Sequence, residues 1–305
     1  MSSTLYDGWV PHTAPYSTPP TITGGAYYFG LNYEDKSPPI DSQLTRDIQE
    51  IEKYSQYYPS LSASNKPGDQ ISAKFIPVNG IFNHWFFGKA AAISGGYTIT
   101  NMDGSAYKPR IGAFSQSGTK KIFDYGLVFG SLNLEYANQR FGVSMQGKSI
   151  GHGSTTSNPS GYTYPSSIST PFDHLASMTW DGDTVLPSRF SGQFMQNLQP
   201  FIGSNGLNQA ISEFTIQKGA YNLQFVSDYG ELLVTDYEDG SLKAFIYKVA
   251  KAADPTKYLQ YTHNCMIKSL IPTRVYGEEI IWSAVLAVED TSVEIKDGTT
   301  GFYGT

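Results

Sequence analysis

The chain has 305 residues, of which 40% are apolar, 14% aromatic and 16% charged. That is enough for one large domain or two ordinary ones with a sizeable core, and the mix argues against a coiled coil or a disordered chain. A net charge of −6, from 21 Lys and Arg against 27 Asp and Glu, argues against a dedicated nucleic-acid clamp. It suits ordinary solubility and a channel wall that DNA passes without sticking equally well.

The single cysteine, Cys265, leaves no disulfide scaffold and no multi-thiolate metal site. It falls in an alternating run, Tyr258 to Leu270, and reads as a small buried hydrophobe. The N-terminus shows no basic region followed by an apolar stretch, so no signal peptide is read there. No window is long and apolar enough to span a bilayer. The expected state is soluble and intracellular, or assembled from a soluble precursor.

Residues 1 to about 40 are rich in Pro, Ser, Thr, Gly and Tyr, with Pro19-Pro20 and Pro38-Pro39 as punctuation. This reads as an extended arm. Its aromatics, Tyr6, Trp9, Tyr16, Tyr27, Tyr28 and Phe29, favour docking on a neighbour over floppiness. Asp41 to Tyr58 is the clearest predicted helix. Asp41 caps it, and Leu44, Ile48, Ile51 and Tyr54 recur at helical spacing. With this helix, residues 1–71 form an N-terminal unit.

From about residue 72 the pattern is mostly strands. Leu132, Leu134 and Tyr136 alternate with Asn133 and Glu135, then Phe141, Val143 and Met145 with Gly142, Ser144 and Gln146. Ala137-Asn138-Gln139 between the two runs reads as a hairpin turn. The polar stretch 152–171 reads as a linker between two β regions, 72–151 and 172–305. A faint echo crosses it, Phe129 to Phe141 against Phe190 to Phe201, as a duplicated fold would produce. Between Tyr229 and Gly240 two readings stay open. Asp239-Gly240 fits a hairpin turn, while Leu232, Leu233 and Tyr237 fit one stripe of a short helix. Ser241–Val249, Tyr258–Leu270 and Glu279–Val288 complete the predicted strands.

The stretch G-V-S-M-Q-G-K-S-I-G, residues 142–151, satisfies both the P-loop pattern and the nucleophile-elbow pattern. Each needs a strand that turns into a helix. Here a half-exposed strand precedes Lys148, and I-G-H-G-S-T-T-S-N-P cannot begin a helix. The five histidines, His12, His84, His152, His174 and His263, show no metal-ligand spacing. Asp173 and His174 are adjacent, which is not a triad. Asp181-Gly182-Asp183 and Glu238-Asp239-Gly240 read as turns. No catalytic residue, metal or cofactor is expected.

The run Phe123 to Tyr136, its turn, and Phe141 to Ile150 resemble the central hairpin of tailed-virus tail tube proteins. In that family a strand of the form G-x-x-F/V-x-S-L-x-L precedes a turn and a second strand ending in small residues. Ser212–Val226, a helix and turn at Tyr229–Gly240, and the later strands are similar too, so the resemblance covers roughly residues 72 to 295. It implies a mainly β, antiparallel sandwich or barrel with a few short helices and an extended arm, possibly duplicated. It also implies a structural virion protein, made in the host cytoplasm, whose rings stack into a hollow tail tube for viral DNA. Three duplicated subunits or six single ones would close a ring, and other tail proteins would be partners. No membrane would be involved. On this reading Asn133, Glu135, Ser144 and Gln146 face the lumen, and Leu132, Leu134, Tyr136, Phe141, Val143 and Met145 pack inward. Arg140, Tyr6, Trp9, Tyr27 and Tyr28 are candidates for contacts between subunits or rings. The alternative is a virion-surface or secreted β-rich module that binds a receptor or glycan through aromatics, Tyr107, Tyr162 and Tyr164 among them.

Overall fold

Period-two alternation over most of the chain yields a mainly β, antiparallel architecture with two short helices among the described residues. The computed structural model describes residues 7–11, 30–32, 40–43, 47–51, 60–64, 70–100, 111–117, 120–137, 140–149, 151–155, 170–185, 189–202, 208–226, 230–273 and 280–298. The N-terminal part gives β1 (Asp7–Pro11), β2 (Leu31–Asn32), β3 (Ile40–Gln43), β4 (Asp47–Ile51), β5 (Ser60–Ser64) and β6 (Gln70–Ile76). Then come α1 (Ile81–Phe87), β7 (Ala91–Ile93), β8 (Gly96–Ile99), β9 (Ile111–Ser117), β10 (Lys120–Ala137), β11 (Arg140–Lys148) and β12 (Gly151–Thr155). The remainder is β13 (Phe172–Trp180), β14 (Asp183–Thr184), β15 (Arg189–Ile202), β16 (Asn208–Val226), α2 (Gly230–Asp239), β17 (Lys243–Lys251), β18 (Asp254–Thr273) and β19 (Ile281–Lys296).

The pairings run β6–β11–β10–β15–β16–β19–β18–β17–β13–β14, with β2 and β3 on the outer edge of β6. Strands β18 and β19 serve both layers. Ile281–Val288 pairs with β16, while Val293–Ile295 pairs with β8. Register shifts in β18 at Asn264/Cys265 and Ile267/Ser269 fall where the ladder passes from one layer to the other. At the opposite corner the Phe172 amide donates to the Pro77 carbonyl, 2.8 Å away, and the ladder closes as a flattened barrel. A smaller sheet, β1–β9–β10–β12, leans on this body. Strand β10 leaves that sheet for the barrel wall at Gly126, whose φ of 63° makes the bend.

One hydrophobic cluster fills the interior and draws on both predicted β regions, from Ile71 and Phe75 to Val293 and Ile295. Helix α1, I-F-N-H-W-F-F, is buried on every side, so it carries no amphipathic signature by which to read it from the sequence. Two of its polar side-chain atoms are matched inside. Asn83 accepts a 2.9 Å hydrogen bond from the Tyr261 hydroxyl, and His84 Nδ1 lies 2.7 Å from the Gly88 carbonyl. Burial pushes the His84 imidazole below its ordinary range.

Several expectations are corrected. The predicted helix 41–58 is replaced, where described, by β3 and β4. β3 pairs with β6 and β4 with β5, so ladder partners remote in sequence override the helical spacing. The linker is shorter than predicted, because residues 152–155 lie in β12 against Lys121–Asp124 of β10. Of the two readings left open between Tyr229 and Gly240, the structure shows the helix, α2, which ends at Asp239-Gly240. Gly240 takes φ 65° and its amide donates to the Asp236 carbonyl at 3.1 Å. The two echo segments occupy unlike places. Residues 129–141 span a hairpin, while 190–201 lie within the single strand β15, antiparallel to β10.

Candidate assembly surface

Hairpin β10–β11 sets Ala137 opposite Arg140 and Tyr136 opposite Phe141. Leu132, Leu134, Phe141, Val143 and Met145 point inward and are at most 1% exposed. Tyr136 is half-buried against Phe190, ring centroids 5.6 Å apart. Burial, and then the Asp173 carboxylate, push its phenol above the ordinary range. On the other side Asn133, Glu135 and Ser144 are half-exposed and Gln146 is exposed. Asn133 Nδ2 donates across the ladder to Ser144 Oγ at 3.3 Å.

This outward face continues over the flanking strands. Lys74 of β6 sits opposite Ser144, and Ser72 opposite Gln146. Gln193 of β15 sits opposite Asn133, and Ser191 opposite Glu135. Glu135 is not a bare charge, because Arg189 Nη2 lies 3.1 Å from its Oε1. That partner is 54 residues away in sequence and was missed; only the strand pairing reveals it. Lys148 is half-exposed and Arg140 exposed at opposite ends of β11. Met195, 52% exposed, is the one large apolar side chain described on this face.

Trp9 does not reach outward. It is 3% exposed and meets Trp85 of its own α1 edge-on, centroids 4.8 Å apart, which corrects its reading as an intersubunit contact. Burying an indole against an indole inside one chain consumes the surface a neighbour would need. Tyr6, Tyr27 and Tyr28 lie outside the described residues, as do Tyr107, Tyr162 and Tyr164.

The double motif at 142–151 is strand throughout its described length except at Ser149. Gly147 faces inward, where an added Cβ would stand 2.5 Å from the Val128 carbonyl oxygen. At Gly151 an added Cβ would stand 2.6 Å from the Tyr125 hydroxyl. Both glycines are set by close packing on β10, and no helix follows Lys148 to supply an anion site. His263 is fully buried among Phe194, Phe245, Tyr247 and Tyr261, with Nδ1 2.9 Å from Thr291 Oγ1; burial pushes it down to about 3. Cys265 is buried, and desolvation pushes its thiol up to about 12. His152 and His174 are exposed. Among the described residues no group of three His, Cys, Asp or Glu is placed to hold a metal ion.

Helix α2 closes one end of the core through a polar lock. Trp180 Nε1 donates to Asp236 Oδ2 at 2.5 Å, and Lys243 Nζ lies 3.1 Å from both Asp236 and Asp181. Hydrogen bonds to Asp236, then Asp181, hold the Lys243 ammonium well above the ordinary lysine range. Asp181 (φ 48°) and Gly182 (φ 92°) form the tight turn that brings β14 back onto β13.

Set beside known proteins, the chain matches no family model and no curated protein. No described helix is long and apolar enough to cross a membrane.

Proposed function

We propose that the chain is a structural virion protein whose rings stack into a hollow tail tube that conducts viral DNA. One observation carries the reading. Strands β6, β11, β10 and β15 present a continuous outward wall of mostly polar and charged side chains, backed by buried apolar ones. A wall of this kind tolerates water on one side while the core holds it from the other. Joined edge to edge around a ring, such walls would close a lumen and remove the free edges of long strands. The two echo segments occupy unlike positions, so six copies per ring is the version proposed. Other tail proteins would bind the ends of the tube, and the chain would act without catalysis.

Negative-stain microscopy of the purified full-length protein tests this. Rings or tubes are expected. Monodisperse compact particles at every concentration and salt would sink the reading.

A further inference from the structure

We infer that hairpin β4–β5 of one copy of the chain docks on the open edge of β18 in a second copy. Two features each lack the partner that the other provides. The first is the hairpin. Strand β4 pairs only with β5, from Asp47 opposite Ser64 to Ile51 opposite Ser60, and among the described strands no third one joins them. An isolated two-stranded sheet is marginal in water and needs a further strand or a packed face. The second feature is the edge. Strand β17 accompanies β18 only as far as Cys265, opposite Lys243, while β19 stays beside it to Thr273. From Met266 to Thr273 one side of β18 therefore has no described strand beside it.

Helix α2 does not supply the missing strand. Leu233 is buried in the core and Gly230 stands against the Trp282 indole, which packs on that core, so the helix supports β18 from the inner side. The outer side meets water, with Met266 40% and Ile271 56% exposed. Pro272 has no N–H to give, so the usable edge is Met266 to Ile271, about the length of β4. Charge favours the match. Lys268 is exposed at a register shift and is the one charged residue from Met266 to Thr273. A lysine at such an irregularity guards an edge against indiscriminate pairing. Strand β4, D-I-Q-E-I, brings two carboxylates and no cation, and each of its residues keeps a backbone N–H.

The hairpin that docks belongs to another copy, because its own β18 is out of reach. Strands β3 and β18 are the opposite margins of the ladder β3–β6–β11–β10–β15–β16–β19–β18, about 34 Å apart across the sheet at strand spacing. Strand β4 begins at Asp47 and β3 ends at Gln43, a reach of at most about 14 Å. Gln43 also lies opposite Gln70, at the Lys148 end of β11, whereas the open part of β18 starts level with Lys74 and runs towards the Arg140 end. The contact joins unlike surfaces. Each copy offers one hairpin and one edge, so copies add head to tail or close a ring. The contact needs only a second copy, and its place within a tail tube rests on the function proposed above.

Sedimentation velocity of the full-length protein tests this. Ile271→Lys is the edge variant, and Asp47→Lys combined with Glu50→Lys is the hairpin variant. Each places like charges at the junction and should raise the concentration needed for half-assembly at least about tenfold. Lys268→Glu, a second edge variant, should do the same against the carboxylates of β4. An equimolar mixture of Ile271→Lys with the hairpin variant should stop at the dimer, because one intact hairpin meets one intact edge and the remaining pair repels. Met195→Lys, exposed on β15 away from the edge, should assemble as the parent does. Circular dichroism establishes that each variant is folded. Edge and hairpin variants that assemble like the parent overturn the contact, as does a mixture that stays monomeric or grows past the dimer. Negative-stain microscopy of the same samples separates the two readings. Tubes from both variants would refute the contact and leave the tube standing. Head-to-tail chains of the parent without tubes, abolished in both variants, would do the reverse. A parent that stays monomeric at every concentration overturns both.

Discussion

Gly147→Ala offers a direct measure of why glycine stands in the double motif. The added methyl would lie 2.5 Å from the Val128 carbonyl oxygen, 3.0 Å from Leu127 Cδ1 and 3.1 Å from Phe129 Cδ1. All three belong to β10, the ladder partner of β11. A side chain can rotate away, but the Val128 carbonyl is fixed by the ladder, so relief requires the strands to separate. Overpacking of this kind costs about 1–3 kcal/mol, and a backbone clash belongs in the upper half of that range. At about 2–4 °C per kcal/mol for a chain of this size, the midpoint should drop by roughly 5–10 °C. Thermal unfolding followed by circular dichroism reads this. Gln146→Ala, the outward neighbour, is the control and should move the midpoint by at most about 2 °C. A Gly147→Ala midpoint within about 1 °C of the parent would refute the packing argument and reopen a role for the loop.

Further outcomes follow from the same geometry. Leu134→Asp should prevent folding, because a carboxylate at a fully buried position costs several kcal/mol or must be protonated. Glu135→Gln releases only an exposed ion pair and should leave the fold and any assembly intact under the electron microscope; tubes from the first variant and none from the second would invert the face assignment. Asp236→Leu strands the Trp180 indole N–H and removes one of the carboxylates that hold Lys243, so unfolding should come at least about 1 kcal/mol earlier, with a shifted tryptophan emission; a midpoint equal to the parent would refute the lock. His263 has a folded pKa of about 3, below the unfolded value. The unfolded chain therefore binds the extra proton between about pH 6.5 and the folded value, and stability is lost as pH falls through that window. His263→Phe should flatten the dependence of the midpoint on pH between about 4 and 6.5, by up to about 1.4 kcal/mol per unit, and identical slopes would count against the assignment.

The hairpin was legible because one side of it meets water and the other does not. Leu132, Leu134, Phe141, Val143 and Met145 alternate with polar residues for that reason alone. Elements buried all round left no such trace, and α1 is the clearest case. The spacing of Leu44, Ile48 and Ile51 misled because local periodicity says nothing about a ladder partner such as Ser72, which lies far along the chain. The same blindness hid the Arg189–Glu135 pair, which exists only once β10 and β15 are side by side. Trp9 was misplaced because aromatic content distinguishes docking from disorder but does not say on what an aromatic docks.

The closure of the barrel has a consequence for the nascent chain. The Gly80 amide finds its acceptor in the Asp297 carboxylate, 217 residues later, at 2.8 Å. Asn83 likewise waits for Tyr261, 178 residues on. At translation rates of about 5–20 residues per second, α1 spends roughly 10–40 s outside the ribosome before its last partner is made. During that interval I-F-N-H-W-F-F has no completed core to enter. A holdase that covers short aromatic segments would meet this chain at α1, and slowing translation downstream of it should raise the aggregated fraction.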